Sequence, residues 1–412
     1  MSGSILMLSD SPLGNTGFGL QTGYVAQYLH EAGWDVNVIG YNTHHRTLKG
    51  AKFLDGTGWD FKLLSGSVKV PYAQDLIMPY LRDIKPDIFY TLLDTFMCYP
   101  WGLNLDFAPA KSVFWYPSDG GWFPNNCENI LRKWQNTVAM SKYGQAQVKS
   151  LFNINSQYIP HGVFTDRFYP LSKEKKEQAK MKWGVSGKFV VGCVARNQPR
   201  KMLDREVRAF AKFAEGKDDV VMLFNSDPDD NAPYFQLTEL IKRWKIENKV
   251  KWTGMRYYSG LTQEDLNSIY NVMDVHFLST SGEGFGIPII EASSCKVPNL
   301  VTDYTTTKEL ITDHESGFGV PLLDQERDGR PYPAEYDGAN IRNGTWTGSW
   351  EVDRGLMDMH KAVEMLEILY RDEKLRKKMG ENGRTMVLRE YDMKKVVLPT
   401  WLKYLNNLRY NT

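Results

Sequence analysis

Apolar residues in the first 160 positions come in short continuous runs, separated by longer stretches in which apolar and polar residues alternate with helical spacing. Runs of this length are typical of strands in a parallel sheet that is covered on both faces. Residues 20–32 have the helical pattern. The predicted strands are residues 4–9, 35–41, 86–93, 112–116, 137–141 and 157–160. Strands that alternate with helices predict a mainly parallel α/β domain.

The same pattern restarts after a polar, lysine-rich stretch at residues 171–182, which is either a solvated helix or a linker. Predicted strands then alternate with predicted helices. The strands are residues 189–195, 220–225, 250–253 and 275–279, and the helices are residues 204–215, 237–244, 265–273 and 288–294. A chain of 412 residues is longer than one hydrophobic core usually supports. The pattern therefore predicts two successive α/β domains.

The C-terminal part departs from this alternation. Residues 327–350 are rich in Gly, Asn, Tyr and Trp and lack periodicity, which indicates a surface insertion. Residues 357–370 and 373–389 predict two charged helices. Residues 393–408 predict a final amphipathic helix that carries Trp401.

Composition excludes several classes of protein. The net charge is only +1, so no overall basic field favours nucleic acid. The four cysteines form no CxxC pair, which fits a reducing compartment. The N-terminal apolar run covers only residues 5–8, and no stretch approaches the roughly 20 apolar residues of a spanning helix. We expect a cytoplasmic protein that makes at most peripheral contact with a membrane.

Residues 279–291, STSGEGFGIPIIE, are the most informative segment, because they lie between a predicted strand and a predicted helix. Ligands of open α/β sheets bind at the carboxyl ends of the strands. Glycines let the backbone approach a ligand closely, and N–H groups near a helix N-terminus suit phosphate or sugar oxygens. Glu283 lies in the loop and Glu291 is expected in the first turn of the helix. A ligand-binding loop explains the three glycines and two carboxylates better than a plain turn with a helix-capping acid does.

Glu283 and Glu291 match the E-x7-E element of retaining GT-B glycosyltransferases, in its EGFGxPxxE form. The chain resembles this large family, which is glycosyltransferase family 4-like and also called glycosyl transferases group 1. The resemblance implies an α/β fold of the GT-B type, with two Rossmann-like domains facing each other across a cleft. It implies an acceptor-binding domain at residues 1–168, a nucleotide-sugar-binding domain at 169–392, and a C-terminal helix at 393–412 that crosses back to the first domain.

The resemblance also assigns roles within the loop. Glu283 and the backbone of Gly284, Phe285 and Gly286 would hold the hydroxyls of the donor sugar. Glu291 would bind the ribose hydroxyls of the nucleotide.

Arg196 and Lys201 follow the predicted strand at residues 189–195 and stand five positions apart. The family places an Arg and a Lys at this spacing to bind the donor diphosphate. A diphosphate favours two convergent cations, one of them able to form a bidentate hydrogen bond. Arg200 is a substitute for Arg196 in that role. A basic helix start explains the pattern less well, because helix N-termini disfavour cations.

Three other segments agree with the resemblance. Residues 14–19, GNTGFG, predict a glycine loop whose Gly17 and Gly19 would lie near the donor phosphates. Residues 159–170 resemble the stretch between the two domains, and there we favour a structural role for His161 over that of a catalytic base. Thr305 and Thr306 stand where the family carries a loop of small residues near the distal phosphate.

Asp119 lies where many members of the family carry a histidine close to the anomeric carbon. Its carboxylate would bind a sugar hydroxyl or stabilise developing positive charge. An Asp-Gly turn explains the residue equally well.

The sequence at residues 227–230, DPDD, looks like the metal motif of the other glycosyltransferase fold. We favour a solvated turn, because Arg196 and Lys201 would already neutralise the donor. We expect no metal and no cofactor beyond the nucleotide-diphosphate sugar, which is a co-substrate.

The predicted activity is metal-independent, retaining transfer of a hexose-type sugar by a front-face mechanism, with Glu283, Arg196, Lys201 and Asp119 as the catalytic residues. The sequence does not identify the acceptor, which is a lipid-linked molecule, a glycan, a small molecule, a protein or a modified nucleobase. Two alternatives remain, a nucleotide-sugar epimerase of the same fold and a non-catalytic nucleotide-sugar-binding protein.

Overall fold

The computed structural model describes most of the chain, and its contacts divide the chain into two compact units. The described residues are 3–14, 16–44, 46–52, 58–99, 101–121, 125–228, 236–255, 261–323 and 354–410. The first unit comprises Met1–Ser118, Phe123–Gly162 and Met393–Thr412, and the second comprises Asp119–Trp122 and Val163–Asp392. The predicted insertion at 327–350 lies outside the described residues.

The first unit is built on an eight-stranded sheet in the order β3-β4-β2-β1-β5-β6-β7-β8. Its strands are β1 Ser4–Ser9, β2 Asp35–Gly40, β3 Leu48–Lys52, β4 Gly58–Ser65, β5 Ile88–Leu92, β6 Lys111–Tyr116, β7 Asn136–Ala139 and β8 Gln157–Tyr158. All neighbours pair in parallel except β3, which runs antiparallel to β4 at the edge. The central strands are buried on both faces, which explains their continuous apolar sequences.

The helices of the first unit follow its strands, as parallel connections require. They are α1 Gly17–Glu31, α2 Gln74–Ile84, α3 Trp101–Asn104, α4 Asn125–Lys133 and α5 Lys142–Phe152. The C-terminal helix Leu398–Tyr410 completes the unit.

The fully buried Trp401 anchors this C-terminal helix in the core of the first unit. Its ring centroid lies 5.0 Å from that of Trp115 and 5.4 Å from that of Tyr90, both with edge-to-face geometry. Lys111 and Asp87 also bind the end of the helix, through the Leu408 carbonyl and the Arg409 side chain. The expected return of the C-terminal helix to the first domain is confirmed.

The second unit contains a six-stranded, fully parallel sheet in the order β11-β10-β9-β12-β13-β14. Its strands are β9 Phe189–Val194, β10 Val220–Asn225, β11 Val250–Trp252, β12 Val275–Leu278, β13 Asn299–Thr302 and β14 Gly317–Val320. Its helices are α6 Lys173–Lys182, α7 Leu203–Phe213, α8 Leu237–Arg243, α9 Gln263–Val272, α10 Ile287–Ser294, α11 Thr307–Leu310, α12 Met359–Arg371 and α13 Glu373–Met386. Each unit has the parallel, helix-covered sheet predicted from the sequence.

Some details of the elements differ from the sequence predictions. Gly17 and Gly19 belong to the first turn of α1 rather than to a loop, because the Thr16 side chain caps the helix by accepting from the Gly19 N–H at 3.1 Å. The predicted helix at 393–408 begins instead with a π-helical turn at Met393–Val397.

None of the helices among the described residues combines the length and the apolar character that a bilayer-crossing helix requires.

Candidate functional site

The sheet of the second unit has a topological switch point between β9 and β12. The chain runs outward from β9 to β10 and β11, and then returns to place β12 on the other side of β9. The loops that leave β9 and β12 therefore begin side by side, beyond the carboxyl ends of the strands, where ligands of open α/β sheets bind. The loop after β9 carries Lys201, and the loop after β12 carries Glu283.

Lys201 and Arg200 both contact the Glu283 carboxylate at this switch point. Lys201 Nζ donates to Glu283 Oε1 at 2.5 Å, and Arg200 Nη1 donates to Oε2 at 2.9 Å. Each carboxylate oxygen thus has its own cationic donor. Glu283 and Lys201 are buried, with 6% and 9% of their side chains exposed, whereas Arg200 is 28% exposed. The arginine that contacts Glu283 is Arg200.

The ionisation of these groups follows from their surroundings. Burial alone would raise the pKa of Glu283, but Lys201 and Arg200 outweigh it and lower that pKa to about 2. Burial and the like charge of Arg200 lower the pKa of Lys201 despite the attraction of Glu283. A buried carboxylate that stays ionised and two cations at one switch point form a site suited to an anionic ligand with attached hydroxyls.

Asp119 extends this cluster on the side of Arg200. Its Oδ2 lies 3.7 Å from Arg200 Nε and 3.2 Å from Arg354 Nη1. Burial by itself would raise the pKa of Asp119, but Arg354 and Arg200 reverse the effect and lower it. Asp119 is therefore an ionised partner of two arginines rather than a solvated turn residue. The sequence analysis missed Arg354, because its partner is 235 positions away.

The glycines of the loop allow its close packing. A Cβ atom at Gly282 would lie 1.9 Å from the Asp119 carbonyl oxygen, so any side chain there would separate the two segments. Gly286 has φ 103° and begins α10, with Pro288 in the first turn of the helix as expected. The Phe285 ring packs against Tyr391 at 5.6 Å, which makes its side chain part of the core. Gly284 is buried in the same loop.

Thr305 and Thr306 follow β13, the next strand of the sheet. Thr305 Oγ1 accepts from the Glu283 N–H at 3.0 Å, so this third loop joins the same site. Thr306 is fully buried beside it. The loops after β9, β12 and β13 thus meet around Glu283.

Glu291 is the fifth residue of α10 and lies in its second turn rather than the first. Its Oε2 accepts from the Tyr270 hydroxyl at 2.7 Å, and burial raises the pKa of Glu291 to about 7. Tyr270 is a further residue that the sequence analysis missed, and no local pattern marks it. Glu291 does not belong to the ion-pair cluster around Glu283.

Of the remaining candidates, Arg196 lies in the same loop as Lys201, and the others lie in the first unit. Arg196 follows β9 by two residues and is partly exposed, and its carbonyl accepts from the Gln198 N–H. Gly17 and Gly19 belong to the first unit, where a Cβ at Gly19 would lie 2.4 Å from the Ser11 carbonyl oxygen. His161 is buried in the same unit, edge-on to Trp115 at 4.3 Å, and burial lowers its pKa to about 3.

The described residues contain no group of three or more His, Cys, Asp or Glu side chains arranged to hold a metal ion. Asp227 is buried, which corrects the expectation of a solvated turn for that residue. Asp229 and Asp230 lie outside the described residues.

Comparison with known sequences finds a family whose model matches part of the second unit. Residues 175–327 match the family described as glycosyl transferases group 1. Mannosylfructose-phosphate synthase of Agrobacterium fabrum is 30% identical over 149 residues, 35% of this chain and 32% of that protein. A GDP-mannose-dependent phosphatidylinositol monomannoside mannosyltransferase of Mycolicibacterium smegmatis is 26% identical over 195 residues, 45% of this chain and 48% of that protein. The chain spans less than half the length of these two relatives.

Comparison with solved structures covers the whole chain. Sucrose-phosphate synthase of Thermosynechococcus elongatus superposes with a TM-score of 0.75 at 15% identity, over 98% of this chain and 99% of that one. The Anabaena protein HepE, solved with UDP and glucose, has a TM-score of 0.71 at 15% identity, over 98% of this chain and 100% of that one. Residues 175–327 thus match the glycosyl transferases group 1 family, and the chain has the GT-B fold of these two solved structures.

Proposed function

We propose that the chain is a nucleotide-sugar-dependent glycosyltransferase that moves a hexose to an acceptor with retention of the anomeric configuration. The observation that carries the proposal is the contact of Lys201 and Arg200 with Glu283 at the switch point of the second unit. Two cations of a kind that binds phosphate, beside a carboxylate able to bind sugar hydroxyls, support a nucleotide-sugar donor.

The donor would lie across the three loops. Lys201 and Arg200, with Arg196 from the same loop, supply positive charge for the diphosphate. Glu283 stays ionised and accepts hydrogen bonds from hydroxyls of the sugar. Glu291 would bind the ribose. The names of the relatives support a hexose on a nucleotide, since one is GDP-mannose-dependent and HepE was solved with UDP and glucose.

In the proposed reaction the bond between the anomeric carbon and the diphosphate oxygen breaks. The acceptor oxygen bonds to the same face of that carbon, and the acceptor proton passes to the departing phosphate oxygen. Lys201 and Arg200 stabilise the charge that develops on this phosphate, an effect of about 3 kcal/mol for one well-placed donor. Asp119 is already paired with Arg200 and Arg354, so we assign it no proton transfer. Two cations neutralise the leaving group, and no metal enters the mechanism.

The test is hydrolysis of nucleotide sugars in the absence of acceptor, followed by chromatography of the nucleoside diphosphate. We expect slow release from at least one of UDP-glucose, GDP-mannose and ADP-glucose, with a first-formed sugar that keeps the donor's anomeric configuration. Lys201→Ala should lose most of this rate. Lys212→Ala is the matched control, because Lys212 is 58% exposed on the surface of the same unit.

A chelator in the assay should leave the rate unchanged. A wild-type rate in Lys201→Ala would refute the site, and a first-formed sugar of inverted configuration would refute the retaining mechanism.

A further inference from the structure

We propose that Arg354 is a positioning residue of this site, which fixes Arg200 against Glu283 by way of Asp119. The inference deepens the proposed function and rests on it. Arg354 lies outside the family match at residues 175–327.

Contacts of the Arg354 side chain and of the backbone next to it fix the position of Arg354. Only 5% of its side chain is exposed, and its Nη1 donates to the Asp119 carbonyl oxygen at 2.7 Å and lies 3.2 Å from Asp119 Oδ2. The next residue, Gly355, donates its N–H to the Ser281 carbonyl oxygen at 2.9 Å. Arg354 therefore ties the Asp119 segment to the loop that carries Glu283.

Arg200 is the residue that this arrangement orients. Its Nε faces Asp119 Oδ2 at 3.7 Å, while its Nη1 donates to Glu283 Oε2 at 2.9 Å and to the Gly282 carbonyl oxygen at 3.1 Å. The charges alternate from Arg354 through Asp119, Arg200 and Glu283, so each side chain has an oppositely charged neighbour.

Positioning matters because an arginine side chain has many rotamers and loses that freedom when it is fixed. Arg200 is 28% exposed, and its partners Asp119 and Glu283 restrict that freedom from two sides. Without Arg354, the Asp119 carboxylate would lose one of the two cations described here, and the Asp119 carbonyl oxygen would lose a charged donor. Arg200 would then occupy its catalytic position for a smaller fraction of the time.

The experiment compares Arg354→Ala and Arg354→Lys with the wild-type chain in the donor-hydrolysis assay. Arg371→Ala is the matched control, since it removes the same charge from a side chain that is 78% exposed. We expect kcat to fall on the order of 100-fold in Arg354→Ala while KM for the donor changes much less, because misplacing a transition-state contact by about 1 Å has an effect of that size. Arg354→Lys should restore part of kcat.

A second readout separates positioning from a purely structural role. Because Arg354 helps to lower the pKa of Asp119, its loss should move the acid limb of the kcat/KM profile to higher pH. Unchanged kcat and an unchanged acid limb in Arg354→Ala would overturn the inference. If Arg354→Ala does not fold, the Arg354→Lys variant decides. A folded Arg354→Lys with lowered kcat supports the positioning role of Arg354, and a folded Arg354→Lys with wild-type kcat overturns it.

Failure of the proposed function would look different. If the proposed function is wrong, the wild-type chain releases no nucleoside diphosphate, or Lys201→Ala keeps the full rate. Either result refutes both proposals. An active wild type, an inactive Lys201→Ala and a fully active Arg354→Ala would remove only the role of Arg354.

Discussion

Replacing Glu283 by glutamine removes the negative charge that Lys201 and Arg200 share, while it preserves the size of the side chain and one oxygen acceptor. The pKa of Glu283 is about 2 in the folded chain against an ordinary 4.5. That difference corresponds to about 3 kcal/mol of stability at neutral pH. We therefore expect Glu283→Gln to lower the free energy of unfolding of the second unit by up to about 3 kcal/mol at pH 7.

The pH dependence of this loss has a definite sign. A carboxyl whose folded pKa is depressed contributes its full stability above the unfolded pKa, and that contribution disappears as the pH falls towards the folded pKa. The difference between wild type and Glu283→Gln should thus be constant from pH 6 to 8. It should narrow by about 1 kcal/mol at pH 4.

Urea unfolding monitored by circular dichroism at pH 8, 7, 6, 5 and 4 measures this difference. Glu315→Gln is the matched control, because Glu315 is 71% exposed and its partner Lys378 is 66% exposed. The control should match wild type within about 0.5 kcal/mol. Equal stability of Glu283→Gln and wild type at pH 7, or a difference that widens on acidification, would show that Glu283 is not an ionised, doubly paired carboxylate.

Three further predictions concern single substitutions. Gly282→Ala should destabilise the second unit by about 1–3 kcal/mol and abolish donor hydrolysis, since its Cβ would lie 1.9 Å from the Asp119 carbonyl oxygen; melting temperature and rate test this. The pKa of Glu291 is raised to about 7 by burial, so its ionisation costs stability as pH rises from 4.5 through 7. Glu291→Gln should therefore melt higher than wild type at pH 8 but not at pH 4, and bind nucleoside diphosphates more weakly. Trp401→Ala should cost about 3–5 kcal/mol in urea unfolding of the first unit, because it empties a fully buried site between two aromatic rings.

The buried strands were predictable because their sequences are continuous and apolar. The predicted strands at residues 4–9 and 220–225 agree residue for residue with Ser4–Ser9 and Val220–Asn225. The strand Gly58–Ser65, next to the edge strand of the first sheet, was missed, since exposed and buried residues alternate along it and its sequence includes Asp and Lys. The short strands Asn299–Thr302 and Gly317–Val320 were also missed, because each contains only two apolar residues, beside polar residues or glycines.

The candidate site was predictable only where its residues are close together in sequence. The loop with Glu283 and the loop with Lys201 each follow a strand, and neighbouring parallel strands bring such loops together. The choice between Arg196 and Arg200 as the partner of Glu283 depends on side-chain direction, which sequence spacing does not determine. Arg354 could not be found, because nothing near it in the sequence points to Asp119.

The central claim is that Lys201 and its neighbours bind the diphosphate of a nucleotide sugar. Calorimetric titration of UDP, GDP and ADP into wild type and Lys201→Ala measures this directly. We expect at least one of the three to bind the wild-type chain with 1:1 stoichiometry. Its affinity should be about 10- to 100-fold weaker in Lys201→Ala, as expected for the loss of one charged hydrogen bond. Equal affinity in both proteins, or no binding of any nucleoside diphosphate to the wild type, would contradict the central claim.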